Sequence, residues 1–315
     1  MAPRRTSFIL RNSEPLDLQS PLVVACHDAG AANLIAAWLR SWRSEIRLCL
    51  AGPAAELWRR LNPDAELLPL GRGLNGASTL LSGTGWASEH EHEARKQAQN
   101  LCIRSIAVVD HWVNYRERFI RHEELILPNE LWVADAYAKA KAQHCFPGMP
   151  VRELPNVYLQ GLVDDVISCG YVPPAEKPGN VLYILEPIRR DWGASERQDA
   201  RPSELQAFEY FLAYLERLHA ADAHIVLRPH PSDQAGKYDD WPVRFVNLDL
   251  KIDAATPLAH QIAWADWVVG CESFALVAAL EAGRIVYSSL PPWAPPCSLP
   301  HRELRHIRHL QEQVA

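Results

Sequence analysis

The sequence predicts an α/β protein made of two Rossmann-like domains that face each other across a cleft. Short apolar runs rich in Val, Ile and Leu alternate with helical patterns along nearly the whole chain, as they do in doubly wound parallel sheets. The length of 315 residues and the hydrophobic fraction of 48% suit two globular domains of roughly 150 residues each. The stretch GYVPPAEKPG at 170–179 is rich in Pro and Gly, which predicts a linker between domains 1–169 and 180–315.

In the first half, the apolar runs that predict strands are bounded by Gly, Pro or polar residues. These runs are 21–26, 46–50, 67–70, 79–82, 106–109, 131–133 and 151–154. Helical patterns are found at 33–40, 54–61, 89–101, 136–144 and 155–169, and residues 1–20 are expected to form a loose arm. Before the helix at 89–101, Ser88 and Glu91 have the spacing of a capping box, which gives Glu91 a structural explanation.

Polar residues or small-residue turns directly follow four of these predicted strands. The four tips are His27–Asp28, 83–88, Asp110–His111 and Asp135. Because parallel strands present their carboxyl ends at one edge of a sheet, we expect the tips to line a ligand site. The first candidate for a base is Asp28 and the second is Asp110. The neighbouring His27 and His111 could tune these carboxylates or act as bases themselves. Further candidates to line the site are Gly30, Thr84, Gly85, Trp86, Ser88, Trp112 and Asp135.

The second half repeats the alternation of strands and helices. Strands are predicted at 181–185, 225–227, 243–246, 267–269 and 284–287. Helices are predicted at 204–220 with Ser203 as its cap, at 258–265, at 274–282 and, after a Pro-rich loop, at the C-terminus. Glu186 directly follows the first of these strands and is a further candidate for the site.

The most informative stretch is the elbow RPHP at 228–231, which follows the apolar run at 225–227. Its two prolines end strand pairing and fix the backbone. Arg228, His230 and Pro231 are therefore held stiffly at the carboxyl end of a strand, where open α/β sheets bind ligands. The alternative is a proline-terminated strand with a surface histidine.

A second element, GCES at 270–273, joins a predicted strand to the N-terminus of a helix. Backbone amides and a hydroxyl at the positive end of a helix favour phosphate. We therefore expect Gly270, Glu272 and Ser273 to bind a phosphate group, with a simple serine cap as the alternative.

Composition excludes some partners and leaves others open. The net charge of −6 argues against a nucleic-acid partner. Basic residues near the C-terminus form either a solvated helix face or a contact with an anionic membrane surface or acceptor. They are Arg302, Arg305, His306, Arg308 and His309. The oligomeric state stays open.

The cysteines and apolar runs predict a cytoplasmic protein. The seven cysteines are widely spaced without a CxxC pair, which favours reduced, buried thiols. No run reaches the ~18 apolar residues of a membrane span, and the N-terminus lacks the apolar core of a signal peptide. Peripheral contact with the inner membrane is an open alternative. Residues 90–93 (HEHE) would point to different helix faces, and no DxD triplet lies in a credible loop, so neither a metal nor a cofactor is predicted.

Two Rossmann-like halves with anion-binding elements in the second resemble the GT-B glycosyltransferases, and this resemblance covers nearly the whole chain. RPHP at 228–231 is similar to the HP motif of bacterial sialyltransferases, polysialyltransferases and related CMP-sugar transferases, and CES at 271–273 is similar to their Ser-containing motif. DAG at 28–30 loosely resembles the acidic-acidic-Gly motif that carries their general base, but Ala29 stands where the second acidic residue would be. The Ser motif is reduced to one Ser, preceded by Glu272. HP pairs also occur in glycerophosphate and deoxy-octulosonate transferases.

The resemblance implies a metal-independent transferase in which His230 and Ser273 hold the phosphate of a nucleotide leaving group and Asp28 is the general base. CMP is the favoured nucleotide, and a sialic-acid-like nonulosonic acid is the sugar under consideration. The acceptor would be a bacterial surface glycan, a lipid-linked molecule or a protein. The residues themselves support the same chemistry, because Arg228, His230 and a helix N-terminus can stabilise a leaving phosphate without a metal. The alternatives are a sugar-nucleotide epimerase or hydrolase on the same fold and a non-catalytic nucleotide-sugar binding protein.

Overall fold

The computed structural model describes residues 16–85, 88–188, 192 and 203–314. The chain separates into two units, Met1–Tyr158 (unit 1) and Leu159–Ala315 (unit 2). Trp86, one of the predicted site residues, lies outside the described residues.

Unit 1 alternates strands and helices. Its strands are β1 (Leu22–Cys26), β2 (Ile46–Leu50), β3 (Thr79–Ser82), β4 (Arg104–Val109), β5 (Ile120–Arg121), β6 (Glu124–Leu125), β7 (Glu130–Val133) and β8 (Val151–Glu153). Its helices are α1 (Ala29–Trp38), α2 (Gly52–Leu61), α3 (Leu70–Leu74), α4 (His90–Asn100) and α5 (Ala136–Cys145), with 3-10 turns at Leu39–Ser41 and Glu117–Phe119. Helix α6 (Val157–Ser168) runs from unit 1 into unit 2.

Six parallel strands form the main sheet of unit 1, in the order β2-β1-β3-β4-β7-β8. Leu22 of β1 pairs with Ile46 on one side and with Thr79 on the other. All five residues of β1 are buried, as expected for a central strand of a sheet covered on both faces. The chain leaves β1 for β2 and returns to β3 on the opposite side, so the strand order reverses between β1 and β3. Ligands of open α/β sheets bind outside the carboxyl ends of strands at such a reversal.

Unit 2 repeats this architecture. Its strands are β9 (Asn180–Ile184), β10 (His224–Arg228), β11 (Leu250–Ile252), β12 (Trp267–Gly270), β13 (Ile285–Ser288) and β14 (Arg305–His306). Its helices are α7 (Ser203–Leu212), α8 (Trp241–Arg244), α9 (Leu258–Trp264) and α10 (Phe274–Glu281), followed by a 3-10 segment at Ile307–Val314.

The sheet of unit 2 has the order β11-β10-β9-β12-β13-β14 with every pairing parallel. Counted from β9, this is the order 3-2-1-4-5-6 of dinucleotide-binding folds. The order reverses between β9 and β12, where Ile184 pairs with Gly270. One face of the sheet is covered by an aromatic core in which the ring of Phe208 lies 4.9 Å from that of Tyr183. The two parallel six-stranded sheets confirm the prediction of two Rossmann-like domains.

Two of the predicted strands are wrong, and a proline explains each failure. Leu67 forms only an isolated bridge to Leu48, and Pro69 then stands at the N-cap of α3. Pro242 lies in the first turn of α8, so the run at 243–246 begins in a helix and exposes its valines. The edge strand beside β10 is β11 instead, which with three residues is too short to stand out in the sequence.

Two predicted helices also differ from the structure. The helix expected over 204–220 ends at Leu212, and turns follow. The expected C-terminal helix is replaced by β14 and the 3-10 segment. Arg308 there donates to the backbone carbonyls of Leu290, Pro291 and Ala294, so this part of the basic cluster holds the Pro-rich loop. Across the ranges given above, no helix is both long and apolar enough to cross a bilayer.

Candidate functional site

A His–Asp pair directly after β1 is the first polar group at the reversal point of unit 1. Nδ1 of His27 lies 2.7 Å from Oδ1 of Asp28. An ionised carboxylate can only accept, so the ring donates from Nδ1 and keeps the lone pair of Nε2. The side chains of His27 and Asp28 are 22% and 30% exposed. Asp28 stands at the N-cap of α1 without capping it through its side chain, because that side chain binds His27. This arrangement leaves Nε2 of His27 as a hydrogen-bond and proton acceptor.

Two glycines make room for the carboxylates at this edge. A Cβ built on Gly85 would lie 2.1 Å from Oδ2 of Asp28, and one built on Gly30 would lie 1.9 Å from Oδ2 of Asp110. Both distances are far shorter than any van der Waals contact, so a larger residue would displace the carboxylate. The structure thus packs the ends of β1, β3 and β4 together.

Three arginines hold the turn after β3 by its carbonyl oxygens. Arg95 donates to Gly83 at 2.9 Å, Arg118 to Thr84 at 3.3 Å and Arg121 to Gly85 at 2.9 Å. Arg118 also donates to Oδ1 of Asp110 at 3.1 Å, and its side chain is only 8% exposed. The guanidinium groups therefore fix the turn and the Asp110 carboxylate in one arrangement. No sequence motif marks these arginines, because they come from α4 and from the segment after β4.

Glu91 on α4 is a further residue of this site, and the capping box predicted for it is wrong. Its Oε1 accepts the backbone N–H of His27 at 2.7 Å, and the residue is fully buried. Ser88 instead accepts the N–H of His90 at 3.2 Å. Glu91 binds His27 rather than capping its own helix because the end of β1 and the first turn of α4 meet at the reversal point.

Burial raises the pKa of Glu91 above its ordinary value. Burial also raises the pKa of the Cys26 thiol, and the carboxyl groups of Glu91, Asp110 and Asp28 raise it further. Three carboxyl groups therefore surround the end of β1, which is an arrangement suited to proton transfer.

Other predicted residues of unit 1 support the site. Thr84 is buried and donates from Oγ1 to a carbonyl of β4 at 2.9 Å. The indole of Trp112 donates to Asp135 at 3.0 Å, and Asp135 caps α5 by accepting the N–H of Ala138 at 2.7 Å. His111 packs its ring 5.3 Å from that of Trp112. We assign Thr84, Trp112 and Asp135 to the support of the turn and helix, since these polar atoms are engaged by the fold.

In unit 2, the elbow after β10 holds His230 in one tautomer. The backbone N–H of Ser232 donates to Nδ1 of His230 at 3.1 Å. A backbone N–H can only donate, so Nδ1 carries the lone pair and the neutral ring has its proton on Nε2. Burial lowers the pKa of His230, which favours the neutral form. His230 therefore offers an Nε2–H donor.

A network of hydrogen bonds and ion pairs, which the sequence does not reveal, holds the elbow in place. Pro231 lies in a turn closed by the N–H of Asp233 and the carbonyl of His230 at 2.9 Å. In return Asp233 accepts the N–H of His230 at 3.1 Å and the hydroxyl of Tyr238 at 2.9 Å. Lys237 bridges Asp233 and Glu204 at 2.9 and 2.7 Å. Burial alone would raise the pKa of Asp233, but the bonds from Lys237 and Tyr238 lower it.

The sequence predicts that Arg228 binds phosphate, but its Nη1 donates hydrogen bonds to other residues of unit 2. That nitrogen donates to the carbonyl of Thr256 at 2.7 Å and to Oε1 of Gln261. Gln261 in turn donates to the carbonyl of Asp253 at 2.9 Å. The described contacts of Arg228 thus tie β10 to the loop after β11.

The amides at the start of α10 already bind a carboxylate. Oε1 of Glu186 accepts the backbone N–H groups of Cys271, Glu272 and Ser273 at 3.0, 2.8 and 2.9 Å. We call these three N–H groups the amide nest. Ser273 caps α10 by accepting the N–H of Ala275 at 3.2 Å. The sequence predicts a phosphate at this turn, whereas in the structure the three amides bind the carboxylate of Glu186.

Glu272 and Gly270 position the same turn. Oε2 of Glu272 accepts the N–H of Ser298 at 2.8 Å, which attaches the Pro-rich loop to the turn. A Cβ on Gly270 would lie 3.0 Å from the carbonyl oxygen of Ile184, so glycine permits β9 and β12 to approach closely. Among the described residues, no group of three or more His, Cys, Asp and Glu side chains could hold a metal ion.

Comparison with known proteins supports the fold at low sequence identity. No protein family matches the sequence, and no curated protein does so either. Among solved structures, the UDP-GlcNAc 2-epimerase of Neisseria meningitidis bound to UDP-GlcNAc is similar, with 10% identity, a TM-score of 0.60, and coverage of 89% of this chain and 84% of that one. The UDP-GlcNAc 2-epimerase of Methanocaldococcus jannaschii has 12% identity, a TM-score of 0.53, and coverage of 85% and 83%.

The wall teichoic acid polymerase TagF is also similar, with 11% identity and coverage of 94% of this chain and 80% of that one. Its TM-score is 0.47. Together with the two parallel sheets, the likeness to the epimerases confirms a two-domain fold of the GT-B type. At these identities the likeness shows the fold alone.

Proposed function

We propose that the chain is a glycosyltransferase that moves a sugar from a nucleotide donor to an acceptor without a metal ion. The observation that carries the proposal is the Nε2–H of His230, fixed at the carboxyl end of β10 by the Ser232 amide. The phosphate of a nucleotide leaving group gains negative charge as the glycosidic bond breaks. A fixed, partly buried N–H donor stabilises that charge more in the transition state than in the ground state.

The base belongs to unit 1 in this proposal. The His27–Asp28 pair removes the proton from the acceptor hydroxyl, and the carboxylate stabilises the imidazolium that forms on His27. Asp110, held by Arg118, is the second candidate. Glu91 fixes the backbone of His27 and is a positioning residue.

The substrates follow from the resemblance of the elbow to the HP motif of CMP-sugar transferases. CMP is the favoured nucleotide, and a sialic-acid-like nonulosonic acid is the favoured sugar. The acceptor is a bacterial surface glycan, a lipid-linked molecule or a protein. We place the reaction in the cytoplasm, with contact at the inner membrane where the acceptor is lipid-linked.

Replacing His230 with Ala tests the nucleotide site. We expect the wild type to bind CMP in titration calorimetry and the variant to bind at least about tenfold more weakly, because a hydrogen bond to a charged group is lost. Turnover should fall with affinity. His260→Ala is the matched control, since His260 is exposed on α9 of the same unit, and it should change neither. Equal CMP affinity in the His230 variant and the wild type would show that the elbow does not bind the nucleotide.

A sugar-nucleotide epimerase or hydrolase is the second candidate. It is favoured by the three carboxyl groups near the end of β1, because epimerisation needs one group to remove a proton and another to return it. Incubation with a CMP-sugar, with and without acceptor, separates the two candidates. Product formed only with acceptor supports the transferase, whereas free sugar or an epimer formed without acceptor supports the alternative.

A further inference from the structure

We propose that Glu186 is an internal occupant of the nucleotide-phosphate site of unit 2, and that a phosphate must displace it to reach the amide nest. Glu186 would then set the affinity of the site for the donor. This inference rests on the proposed function. It names a residue that weakens donor binding, in addition to the residues that strengthen it.

The geometry of the turn supports displacement. A single oxygen, Oε1 of Glu186, accepts all three N–H groups of the amide nest, at 2.8 to 3.0 Å. Three convergent amides at the N-terminus of an eight-residue helix form an anion site of the kind that holds phosphate oxygens. The carboxylate oxygen occupies the position that a phosphate oxygen would take.

Strand pairing places Glu186 at the nest. Ile184 at the end of β9 pairs with Gly270 at the end of β12, so the residues that follow both strands meet. Leu185 is held by its N–H, which donates to the carbonyl of Arg228 at 2.9 Å. The same bond links the Glu186 segment to the elbow that carries His230. The amide nest and the His230 elbow therefore flank β9 on its two sides.

Charge prevents a phosphate and an ionised Glu186 from sharing the nest. Each N–H donates to one acceptor well, and two anions at hydrogen-bond distance repel each other strongly in a buried turn. Among the described residues, the titratable groups that face Glu186 are Glu272, Cys271, Cys297 and Tyr183, and none of these four supplies positive charge. Phosphate binding thus requires Glu186 to swing out of the turn or to take up a proton.

The protonation behaviour of Glu186 is consistent with this. Burial raises the pKa of Glu186 from 4.5 to about 7, and the amide bonds offset burial only in part. A neutral carboxyl group accepts from the nest more weakly than a carboxylate does. Release of the nest is therefore accessible near neutral pH.

Titration calorimetry on Glu186→Gln at about pH 8, where Glu186 of the wild type is mostly ionised, tests the inference. The amide keeps the size of the side chain but removes its charge, so phosphate competes with a weaker occupant. We expect CMP and inorganic phosphate each to bind at least about tenfold more tightly than to the wild type, because a charge-assisted set of bonds is replaced by neutral ones. Glu281→Gln is the matched control, because it removes the same charge from the exposed C-terminal end of α10, away from the amide nest. It should change either affinity by less than about threefold.

Three results would overturn the inference: unchanged binding in the Glu186 variant, weaker binding in it, or equal tightening in the Glu281 variant, which would indicate general electrostatics. If CMP binds none of the proteins but phosphate shows the predicted order, the proposed function fails and the inference stands. If CMP binds the wild type but the order is not seen, the inference alone fails. Glu186→Ala, which removes both the charge and the side chain that occupies the nest, replaces the Gln variant if that protein does not fold, and the same tightening is expected.

Discussion

At the scale of single residues, the proposed chemistry depends on which atoms of His27, Asp28 and His230 carry protons. In the His27–Asp28 pair, the carboxylate of Asp28 accepts from Nδ1 of His27 and leaves the lone pair of Nε2 for a substrate. In His230, a backbone amide donates to Nδ1 and leaves a proton on Nε2. The two histidines are therefore held in opposite tautomers, one suited to accept a proton and one suited to bind an anion.

Replacing Asp28 with Asn should separate catalysis from binding. The amide can present its NH₂ group to His27 and favour the wrong tautomer. We expect turnover to fall by about 10²- to 10⁴-fold, the usual contribution of a general base, with CMP affinity nearly unchanged. Asp64→Asn, an exposed substitution after α2, is the control in steady-state kinetics. Wild-type turnover in the Asp28 variant would show that the general base is Asp110 or His111 instead.

Replacing Gly30 with Ala should disturb Asp110 without changing any charge. The new methyl group would sit 1.9 Å from Oδ2 of Asp110, so the carboxylate, which also accepts from Arg118, must move away from residue 30. We expect turnover to fall at least about tenfold and stability to fall by about 1–3 kcal/mol, as in other overpacked sites. Gly71→Ala in α3 has no neighbour within 4 Å and should be neutral or stabilising. Chemical denaturation and kinetics on both variants measure the difference, and equal effects would show that Asp110 tolerates the shift.

At the scale of elements, the turn between β12 and α10 links proton binding to stability. Because the pKa of Glu186 is raised in the folded chain from 4.5 to about 7, the folded state binds more protons than the unfolded state between these values. Stability from this group is therefore present below about pH 4.5 and is lost as the pH rises toward 7.

Glu186→Gln should remove that loss. We expect the free energy of unfolding of the wild type to fall more between about pH 5 and about pH 8 than that of the variant. Urea denaturation at both pH values measures the difference, with Glu281→Gln, an exposed substitution at the end of α10, as the control that keeps the wild-type dependence. A parallel pH dependence in the Glu186 variant would show that this carboxyl group is not the one that titrates.

The elements also show where sequence reasoning succeeds. Apolar runs that end in Gly or polar residues, such as Leu22–Cys26 and Trp267–Gly270, locate strands well because parallel strands are buried on both faces. Prediction from sequence fails where a proline at position 69 or 242 starts a helix within an apolar run. A three-residue edge strand such as β11 carries too short a pattern to be recognised.

At the scale of the whole molecule, the two-domain fold and its polar strand ends could be predicted, but the partners of the polar groups could not. The contacts of Glu91 with His27 and of Glu186 with the amide nest join residues 64 and 85 or more positions apart. Local rules assigned the first to a helix cap and gave the second no partner. Only strand order shows that both lie at reversal points of their sheets, where the ends of distant segments meet.

A thermal-shift measurement of CMP binding tests the central claim, that unit 2 holds a nucleotide through His230. A ligand at about 100 times its dissociation constant adds about 2.7 kcal/mol to stability, which corresponds to a rise in Tm of roughly 5 °C or more for a domain of this size. The proposal predicts such a rise for the wild type and at most about half of it at the same CMP concentration for His230→Ala, whose affinity is at least about tenfold lower. A wild-type Tm unmoved by CMP, CDP, UDP and GDP alike would contradict it.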